Sequence, residues 1–394
     1  MVYINADDFY KKTACIPPLT RREELEWARQ MKLGEASARE RLIRGYLPMV
    51  ASHVKRLQSQ YRTLGMILYC RQALEQAVDS FDFLQDSEPF VHRLSWALRQ
   101  ATVKYIVREN GQMQMEEWDH GQVLSLLPDR APDAHKGDFG KILLLCGSRG
   151  FTGAAALAAM GALRSGAGLV FLGVPESIYV IEAVKLTEAI VFPLPDEAGK
   201  LSADAIPEIL ERLPKMDAVL IGPGLGQSEG TYRVTKAVLE NFKGPVVVDA
   251  DGINVLAPHK DILRGRNFPT ILTPHDGEFA RIGGVIGDDR TASARALAND
   301  LGCIVLLKGH ETVITDGART CVNRTGNPGM AVGGSGDVLS GIIVSLLGQG
   351  IAPLEAAACG AWLHGAAGDI CAAEIGQYGM LPSDMVEVLP RLLK

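Results

Sequence analysis

The hydrophobic positions of the chain follow two different spacings, one before and one after about residue 135. Between residues 19 and 110, apolar side chains recur three and four residues apart, as in the run Leu42, Ile43, Leu47, Val50 and Val54. Thr20, with Glu23 three residues later, is a capping-box pattern that predicts the start of a helix. Further helices are predicted at about 65–80 and 89–108, and the segment shows no strand pattern. It is therefore predicted to be a small all-α domain.

From Lys141 onward, short apolar runs alternate with helical stretches. Eight strands are predicted, at 141–147, 168–174, 189–194, 217–224, 245–251, 270–275, 303–309 and 312–317. Helices are predicted at 153–165, 203–213, 229–241 and 288–301, followed by mostly helical structure over 335–392. Because the strand runs are almost continuously apolar, helices must cover both faces of the sheet. The pattern predicts an α/β domain with a mostly parallel sheet.

These spacings divide the 394 residues into three segments. Residues 1–118 form the helical domain, residues 119–134 form a polar linker that contains Pro128 and Pro132, and residues 135–394 form the α/β domain. A hydrophobic content of 47% is enough for a sizeable core. The net charge of −6 does not favour a nucleic-acid binder.

Cysteine usage and hydropathy bear on the compartment of the protein. The seven cysteines are an odd number without a C-x-x-C pair, and several lie in apolar runs, so we expect buried free thiols and no metal site. The N-terminal stretch "MVYINADDFYKK" has no apolar signal core. Polar residues interrupt every long apolar stretch, so none is a candidate membrane span. The expected location is the cytoplasm.

Candidate functional residues follow the predicted strands, because ligands of open parallel sheets bind at the carboxyl ends of the strands. The glycine loop "IGPGLG" ends one strand, and Asp249-Ala250-Asp251 ends the next. His275 follows Pro274 at the end of another strand, where a structural and a catalytic role are equally compatible with the pattern. Lys308 ends a further strand, where a cation could serve phosphate groups or be only a solvated charge.

The stretch "GGSGDVLSGI" combines a glycine loop with the start of an apolar helix. Glycines let backbone N–H groups surround an anion, and the positive end of the following helix adds to that attraction. Asp337 lies at the first turn of this helix. One interpretation is an N-capping aspartate. The other is a carboxylate that acts on a hydroxyl group beside a bound phosphate, as phosphoryl transfer requires.

Seven motifs in order resemble the NAD(P)H-hydrate dehydratases of the ribokinase-like superfamily, over roughly residues 130–394. They are "HKGDFGKILLLCGS", "GAAALAAMGALRSGAGLV", "IGPGLG", "VVDADGIN", "LTPHDGEF", "VLLKGHETVI" and "GNPGMAVGGSGDVLSGI". The resemblance implies a three-layer α/β/α fold and a hydro-lyase. The implied enzyme phosphorylates the C6 hydroxyl of hydrated NADH or NADPH with ADP or ATP, and elimination of phosphate restores the reduced cofactor. Mg²⁺ is expected to accompany the nucleotide, with protein ligands that the sequence does not identify.

The resemblance also assigns roles position by position. Residues matched to substrate contacts are Ala154, Gly226, His275 and Asp337. Residues matched to nucleotide binding are Lys308, Gly309, His310, Glu311, Thr312 and Gly336. The N–H groups of Gly334, Ser335, Gly336 and Asp337 would form the anion hole. Asp337 would be the catalytic group that orients and deprotonates the attacking hydroxyl.

Residues 19–106 resemble region 2 of bacterial RNA polymerase sigma factors in a degenerate form. Where sigma factors carry an acidic stretch that contacts the polymerase, this chain has "LGMILYCRQALEQ", and of several aromatic residues it keeps mainly Phe90 and Trp96. Promoter melting needs aromatic stacking on bases together with a basic track. We therefore expect binding to neither nucleic acid nor RNA polymerase, and instead a role in packing, oligomer contacts or regulation.

Three alternatives stay open at this point, of which a catalytically inactive nucleotide-binding scaffold is disfavoured by the intact glycine–aspartate loop. A kinase acting on a vitamin-precursor alcohol or a sugar would use the same anion hole and aspartate. A polymerase- or DNA-binding protein acting through residues 19–106 would belong to another functional class. The resemblance further implies a homo-oligomer, and the composition implies no membrane partner.

Overall fold

The computed structural model describes residues 5–55, 62–84, 89–109, 114–115 and 118–394. The chain divides into two compact units, Met1–Met113 and Gln114–Lys394. Each unit has its own core, which is what two separate hydrophobic patterns require. No described helix combines the length and apolar character needed to cross a membrane.

The first unit is helical. Its helices are α1 (Ala6–Ala14), α2 (Arg21–Lys32), α3 (Ala36–Lys55), α4 (Leu64–Ser80) and α5 (Phe90–Glu109). The capping box at α2 is confirmed, because Thr20 and Glu23 bond to each other's backbone N–H groups. Sequence analysis missed α1, whose start is capped by the Asn5 side chain accepting from the Asp8 N–H at 2.8 Å.

Aromatic packing at the centre of the first unit bears on the resemblance to sigma factors. Phe90 is only 1% exposed. Its ring lies 4.7 Å from Tyr46, 5.1 Å from Phe81 and 4.8 Å from Phe83, measured between ring centroids. A side chain held in this way cannot stack on a flipped base. The side chain of Trp96 lies outside the described part of the chain.

The second unit is built on a ten-stranded sheet. The strands of this unit are β1 (Gln114–Met115), β2 (Lys141–Leu145), β3 (Leu169–Pro175), β4 (Ile190–Leu194), β5 (Asp196–Glu197), β6 (Lys200–Leu201), β7 (Ala218–Ile221), β8 (Val246–Val248), β9 (Thr270–Leu272), β10 (Ile304–Leu307), β11 (Thr312–Thr315) and β12 (Thr320–Asn323). The order in the sheet is β1-β12-β11-β10-β9-β8-β7-β2-β3-β4, and β5 pairs with β6 in a separate ribbon. All eight predicted strands are present, whereas β1, β5, β6 and β12 were missed.

The sheet is parallel except at one side. Neighbouring strands from β10 through β9, β8, β7, β2 and β3 to β4 run parallel, and β11 is antiparallel to both β10 and β12. Strand β2 lies between β3 and β7, where the chain reverses the direction in which it adds strands. Such a reversal leaves a crevice at the carboxyl ends of the central strands, which is where ligands of this kind of sheet bind.

Helices cover both faces of this sheet. They are α6 (His120–Leu126), α7 (Thr152–Arg164), α8 (Glu176–Lys185), α9 (Ile206–Arg212), α10 (Glu229–Asn241), α11 (Asp251–Leu256), α12 (Asp261–Arg264), α13 (Asp276–Arg281), α14 (Arg290–Leu301), α15 (Ser335–Gly348), α16 (Pro353–Glu374) and α17 (Pro382–Leu392). Ile142 and Leu144 belong to the core beneath α7, α15 and α16, whereas Leu143 and Leu145 belong to the core beneath α10 and α14. This alternation along β2 confirms the three-layer α/β/α architecture.

The segment that was predicted to be a linker is part of the second unit, and this corrects the predicted boundaries. Residues 114–115 pair with β12, and residues 120–126 form α6. Val123 is fully buried in the core, and the His120 ring stacks on Trp362 with 5.5 Å between centroids. His120 Nε2 also lies 2.8 Å from the carbonyl oxygen of Leu392. These contacts join sequence positions too distant for local patterns to reveal.

The seven cysteines are free thiols, as expected, and six of them are buried. Cys15 is the exception, since it is exposed. Burial raises the pKa of the Cys303 thiol to about 12 and that of Cys359 to about 12. Both thiols therefore stay protonated at neutral pH and behave as small apolar side chains.

Helices α7 and α15 approach so closely that only glycine fits at their contact. A Cβ atom added at Gly341 would overlap the carbonyl oxygen of Ala158 and lie 3.0 Å from its carbonyl carbon. A Cβ added at Gly161 would lie 2.7 Å from the carbonyl oxygen of Val338. Backbone atoms cannot turn aside as a side chain can, so this contact fixes α15 relative to the sheet.

Gly341→Ala should therefore lower the free energy of unfolding by about 3 kcal/mol, because the helices must separate to admit the methyl group. Chemical denaturation measures this change. The matched control is Gly153→Ala in α7, where an added Cβ meets no atom within 4 Å. The control should leave stability unchanged or raise it by up to about 1 kcal/mol. Equal stability of the Gly341→Ala variant and the wild type would contradict the packing argument.

Candidate active site

The glycine loop ends at the positive end of helix α15. Gly334 is the N-cap residue, and its φ of 99° lies in the left-handed region that favours glycine. Asp337 lies inside the first turn and is not the N-cap, so the capping interpretation of this residue is wrong. The N–H groups of Gly334, Gly336 and Asp337 have no acceptor among the described residues. Three donors at a helix N-terminus form a site suited to an anion.

The predicted anion hole needs one correction. The backbone N–H of Ser335 donates to the carbonyl oxygen of Val332 at 3.3 Å, so it is not free for a ligand. The loop turns back on itself at this residue, which brings the Val332 carbonyl under the start of the helix. The Ser335 hydroxyl lies instead 3.2 Å from His364 Nε2.

Lys308 carries a partly buried positive charge beside this loop. Its Nζ lies 2.9 Å from Asp249 Oδ1 and 3.6 Å from Glu278 Oε2. The carboxylates are almost fully buried, since their side chains are 2% and 6% exposed. Burial alone would lower the pKa of Lys308, but the adjacent carboxylates outweigh it and raise that pKa. Lys308 therefore remains an ammonium group at neutral pH.

The Lys308–Asp249 pair is tied directly to the glycine loop. Ser340 donates its hydroxyl hydrogen to Asp249 Oδ2 and also lies 2.9 Å from the carbonyl oxygen of Gly336. A Cβ added at Gly336 would lie 3.4 Å from Lys308 Nζ. The ammonium group and the free N–H groups therefore converge on the same space, so a phosphate there would meet both.

The Asp337 carboxyl group is the most perturbed acid of this site. Burial, together with the carboxylates of Asp249, Asp251 and Glu278, raises its pKa from 3.8 to about 7, although Lys308 acts in the opposite direction. A carboxyl group that titrates near neutral pH can accept a proton from a hydroxyl and release it again. Perturbed groups of this kind cluster at functional sites.

A cavity of about 920 Å³ opens beside Lys308 and the start of α15. All residues that were matched to nucleotide binding line it, namely Lys308, Gly309, His310, Glu311, Thr312 and Gly336. His275 lines it as well, although it was matched to the substrate. Glu311 adopts a φ of 57°, which is uncommon for a residue with a side chain and concentrates at functional sites.

Two other residues matched to the substrate, Ala154 and Gly226, follow β2 and β7, where the sheet order reverses. A Cβ added at Gly224 would lie 2.7 Å from the Ala154 Cβ, which brings the "IGPGLG" loop against the start of α7. The Gly226 N–H donates to Asp251 Oδ2 at 2.8 Å. Because Asp251 contributes to the raised pKa of Asp337, this crevice lies within electrostatic reach of that carboxyl group.

His275 serves as a helix cap as well as a lining residue. Its Nδ1 accepts from the Gly277 N–H at 2.9 Å, and its Nε2 lies 3.4 Å from Glu278 Oε1. The side chain is still 54% exposed, so the ring presents a face to a ligand. The structural interpretation of this histidine is confirmed, and its role toward a substrate stays a prediction.

Sequence reasoning assigned no role to Asp249, Glu278, Ser340 or His364. Asp249 and Glu278 had a usable signal, because each stands in a motif that follows a strand. Ser340 and His364 lie inside helices, where no neighbouring sequence motif indicates a function. Among the described residues, no group of three or more His, Cys, Asp and Glu side chains could hold a metal ion.

Comparison with known families finds one match over most of this unit. The family model described as NAD(P)H-hydrate dehydratase matches residues 142–391. The bifunctional NAD(P)H-hydrate repair enzyme Nnr of Moorella thermoacetica is 47% identical over 277 residues, which are 68% of this chain and 52% of that protein. The enzyme of the same name from Escherichia coli is 38% identical over 286 residues, 71% of this chain and 52% of that protein. The chain thus spans about half the length of these curated relatives.

Solved structures give the same result for the fold. The ADP/ATP-dependent NAD(P)H-hydrate dehydratase of Bacillus subtilis, co-crystallised with ATP and Mg²⁺, is 32% identical with a TM-score of 0.61. The match covers 70% of this chain and 96% of that chain. A ribokinase-like superfamily protein of Enterococcus faecalis is 27% identical with a TM-score of 0.63, covering 70% of this chain and 94% of that chain. Each match leaves the remainder of this chain outside the similarity.

The raised pKa of Asp337 has a consequence for stability. The carboxyl group ionises near pH 3.8 in the unfolded chain and near pH 7 in the folded chain. The folded state is therefore disfavoured progressively as the pH rises between these values, and by a constant amount above them. Asp337→Asn should raise the free energy of unfolding by a few kcal/mol, on the order expected for this pKa difference, above pH 7 and hardly at all near pH 4. Urea denaturation at both pH values measures this, and an equal gain at both would contradict the assigned pKa.

Proposed function

The chain belongs to the NAD(P)H-hydrate dehydratase family, and we propose that its second unit restores NADH and NADPH from their (6S)-hydrated forms. ADP or ATP phosphorylates the hydroxyl group on C6 of the hydrated nicotinamide ring. Elimination of phosphate then re-forms the C5–C6 double bond. Hydroxide is a poor leaving group and phosphate is a good one, so the nucleotide makes the dehydration feasible.

The observation that carries this proposal is the meeting of an anion site with a carboxyl group that titrates near neutral pH. Asp337 would take the proton from the C6 hydroxyl as its oxygen attacks the terminal phosphorus of the nucleotide. The free N–H groups of Gly334, Gly336 and Asp337 would stabilise the charge on the transferred phosphoryl group. Lys308 would bind the same phosphate chain, held in place by Asp249 and Glu278.

The two sides of the loop suggest where each substrate lies. The cavity of about 920 Å³ beside residues 308–312 would hold the nucleotide. The crevice that contains Ala154 and Gly226 would hold the hydrated dinucleotide, with His275 between the two. Asp337 would then stand where the C6 hydroxyl meets the phosphate. These assignments rest on the family resemblance together with the positions of the residues.

Mg²⁺ fits this site as a companion of the nucleotide. Mg²⁺ is commonly held by substrate phosphates with one or two carboxylates and several waters, so a dedicated protein cage is not needed. The absence of a three-ligand cluster among the described residues agrees with that arrangement. Asp249, close to Lys308 and the loop, is a carboxylate that could face such an ion through water. The ion would supply charge neutralisation for the phosphates.

A kinase that leaves the phosphate on its product is the second candidate, because the same loop and aspartate would serve it. The identity of 32% to a dehydratase over nearly its full length favours the repair reaction. Helical residues 19–106 would contribute packing or regulation and not promoter binding, since the buried Phe90 is not available to stack on bases. The homo-oligomer and the cytoplasmic location, where ADP and NADPH occur, stay predictions.

The full chain incubated with hydrated NADPH and ADP or ATP should restore absorbance at the NADPH band and release phosphate. Restoration that needs a nucleotide supports the dehydratase. A phosphorylated alcohol that accumulates without restored absorbance would support the kinase instead. No restoration with either nucleotide would contradict the proposed function.

Asp337→Asn should lower the rate of repair at least about 100-fold, because a neutral amide cannot accept the hydroxyl proton. Binding of ADP, measured by calorimetry, should change little, since the N–H groups and Lys308 remain. Asp288→Asn on the exposed loop before α14 is the matched control and should repair at the wild-type rate. A near-wild-type rate for the Asp337→Asn variant would rule out the role given to this carboxyl group.

A further inference from the structure

A buried serine–histidine pair lies in the wall of the nucleotide cavity and has no role in the proposed reaction so far. Ser335 is the first residue of α15, and His364 lies in the middle of α16. Ser335 Oγ and His364 Nε2 are 3.2 Å apart, and both residues are 8% exposed. Both line the cavity that contains Lys308 and Gly336.

Glycines hold the histidine in this position. A Cβ added at Gly360 would lie 2.7 Å from Ile343 Cγ1 of α15, and one added at Gly365 would overlap Thr325. A Cβ added at Gly368 would overlap the side chain of Met330. Helix α16 therefore packs directly against α15 and against the segment that precedes the glycine loop. The imidazole ring is presented from a rigid element.

His364 acts as a neutral group at physiological pH. Burial lowers its pKa to about 4, a hydrogen bond with the backbone of Ser335 opposes this shift, and the ammonium group of Lys308 adds to it. A neutral imidazole has one N–H donor and one acceptor nitrogen. His364 therefore affects the cavity through the direction of its hydrogen bond and not through a charge.

The Ser335 hydroxyl lines the same cavity and can supply a donor in place of the one that the anion hole loses. The backbone N–H of Ser335 is already donated to Val332, so this residue offers an anion no main-chain donor. Its hydroxyl is one donor, and a nucleotide phosphate offers mainly acceptor oxygens. If His364 accepted the hydroxyl hydrogen, a serine lone pair would face the phosphate and repel it.

We propose that His364 is a positioning residue that donates its Nε2–H to Ser335 Oγ and so directs the serine hydroxyl hydrogen toward a phosphate oxygen of the bound nucleotide. The Ser335 hydroxyl thereby becomes a further donor of the anion hole, in place of its own backbone N–H. The proposal rests on the proposed function in one respect, that the cavity binds a nucleotide phosphate, because the acceptor oxygens of that phosphate are what set the direction of the hydrogen bond.

The test is a double-mutant cycle read out by binding of ADP and ATP to the full chain in calorimetry. Ser335→Ala should weaken ADP binding about tenfold, as expected for a lost hydrogen bond to a charged group. His364→Leu should weaken it by a similar factor. The double variant should be no weaker than Ser335→Ala alone, because the histidine acts only through the serine.

Two further variants separate positioning from packing. His364→Gln keeps an N–H donor at similar reach and should bind ADP within about threefold of the wild type. Ser345→Ala, a buried serine of the same helix α15, should leave ADP affinity unchanged. In steady-state kinetics the loss should appear in the KM for ADP, while the KM for the hydrated dinucleotide stays constant.

Additive losses in the double variant, a glutamine variant as weak as the leucine variant, or unchanged ADP affinity of Ser335→Ala would each overturn the proposal. If the His364→Leu variant fails to fold, the Ser335→Ala and His364→Gln variants still test the proposal. A wild-type chain that binds ADP but restores no NADPH would contradict the proposed function, and the role of His364 in ADP binding would still be tested by these variants. A wild-type chain that binds neither nucleotide would contradict both.

Discussion

The ammonium group of Lys308 is the interaction on which the rest of the site depends. It lies among the carboxylates of Asp249, Glu278 and Asp337, and these raise its pKa in spite of burial. Without this cation, several carboxylates would face one another in a poorly hydrated space, at a high cost in free energy. Lys308 offsets only part of the effect that burial and the neighbouring carboxylates have on Asp337, so the pKa of Asp337 lies at about 7. A structural charge balance thus provides a group suited to proton transfer.

The fold brings these charges together through the direction of the strands and the packing of α15. Asp249 follows β8, and Lys308 follows β10, so their side chains meet at the carboxyl edge of the sheet. Helix α15 comes to the same edge because glycine contacts hold it against α7. Ser340 then links the helix to Asp249. The close backbone packing of α15 against α7 therefore determines the position of the anion site.

Much of this arrangement could be predicted from the sequence, where the signal was local. The capping box at Thr20, the eight apolar strands and the glycine loop are all marked by neighbouring residues. The strand-end rule also placed Asp249, His275 and Lys308 at one edge. The link from Ser340 to Asp249 spans 91 positions, and the docking of His120 on Leu392 spans 272, so no local pattern contains them. The occupied N–H of Ser335 could not be predicted either, because it depends on the return of the loop to Val332.

If the C6 hydroxyl leaves as phosphate, then Asp337, the anion site and the nucleotide act in a single reaction. Hydrated NADPH labelled with a heavy oxygen isotope in its C6 hydroxyl allows this oxygen to be followed through the reaction. After repair by the full chain with ADP or ATP, mass spectrometry locates the label. The labelled oxygen is expected in inorganic phosphate, because the bond that breaks joins that oxygen to C6. Label released into water would contradict it.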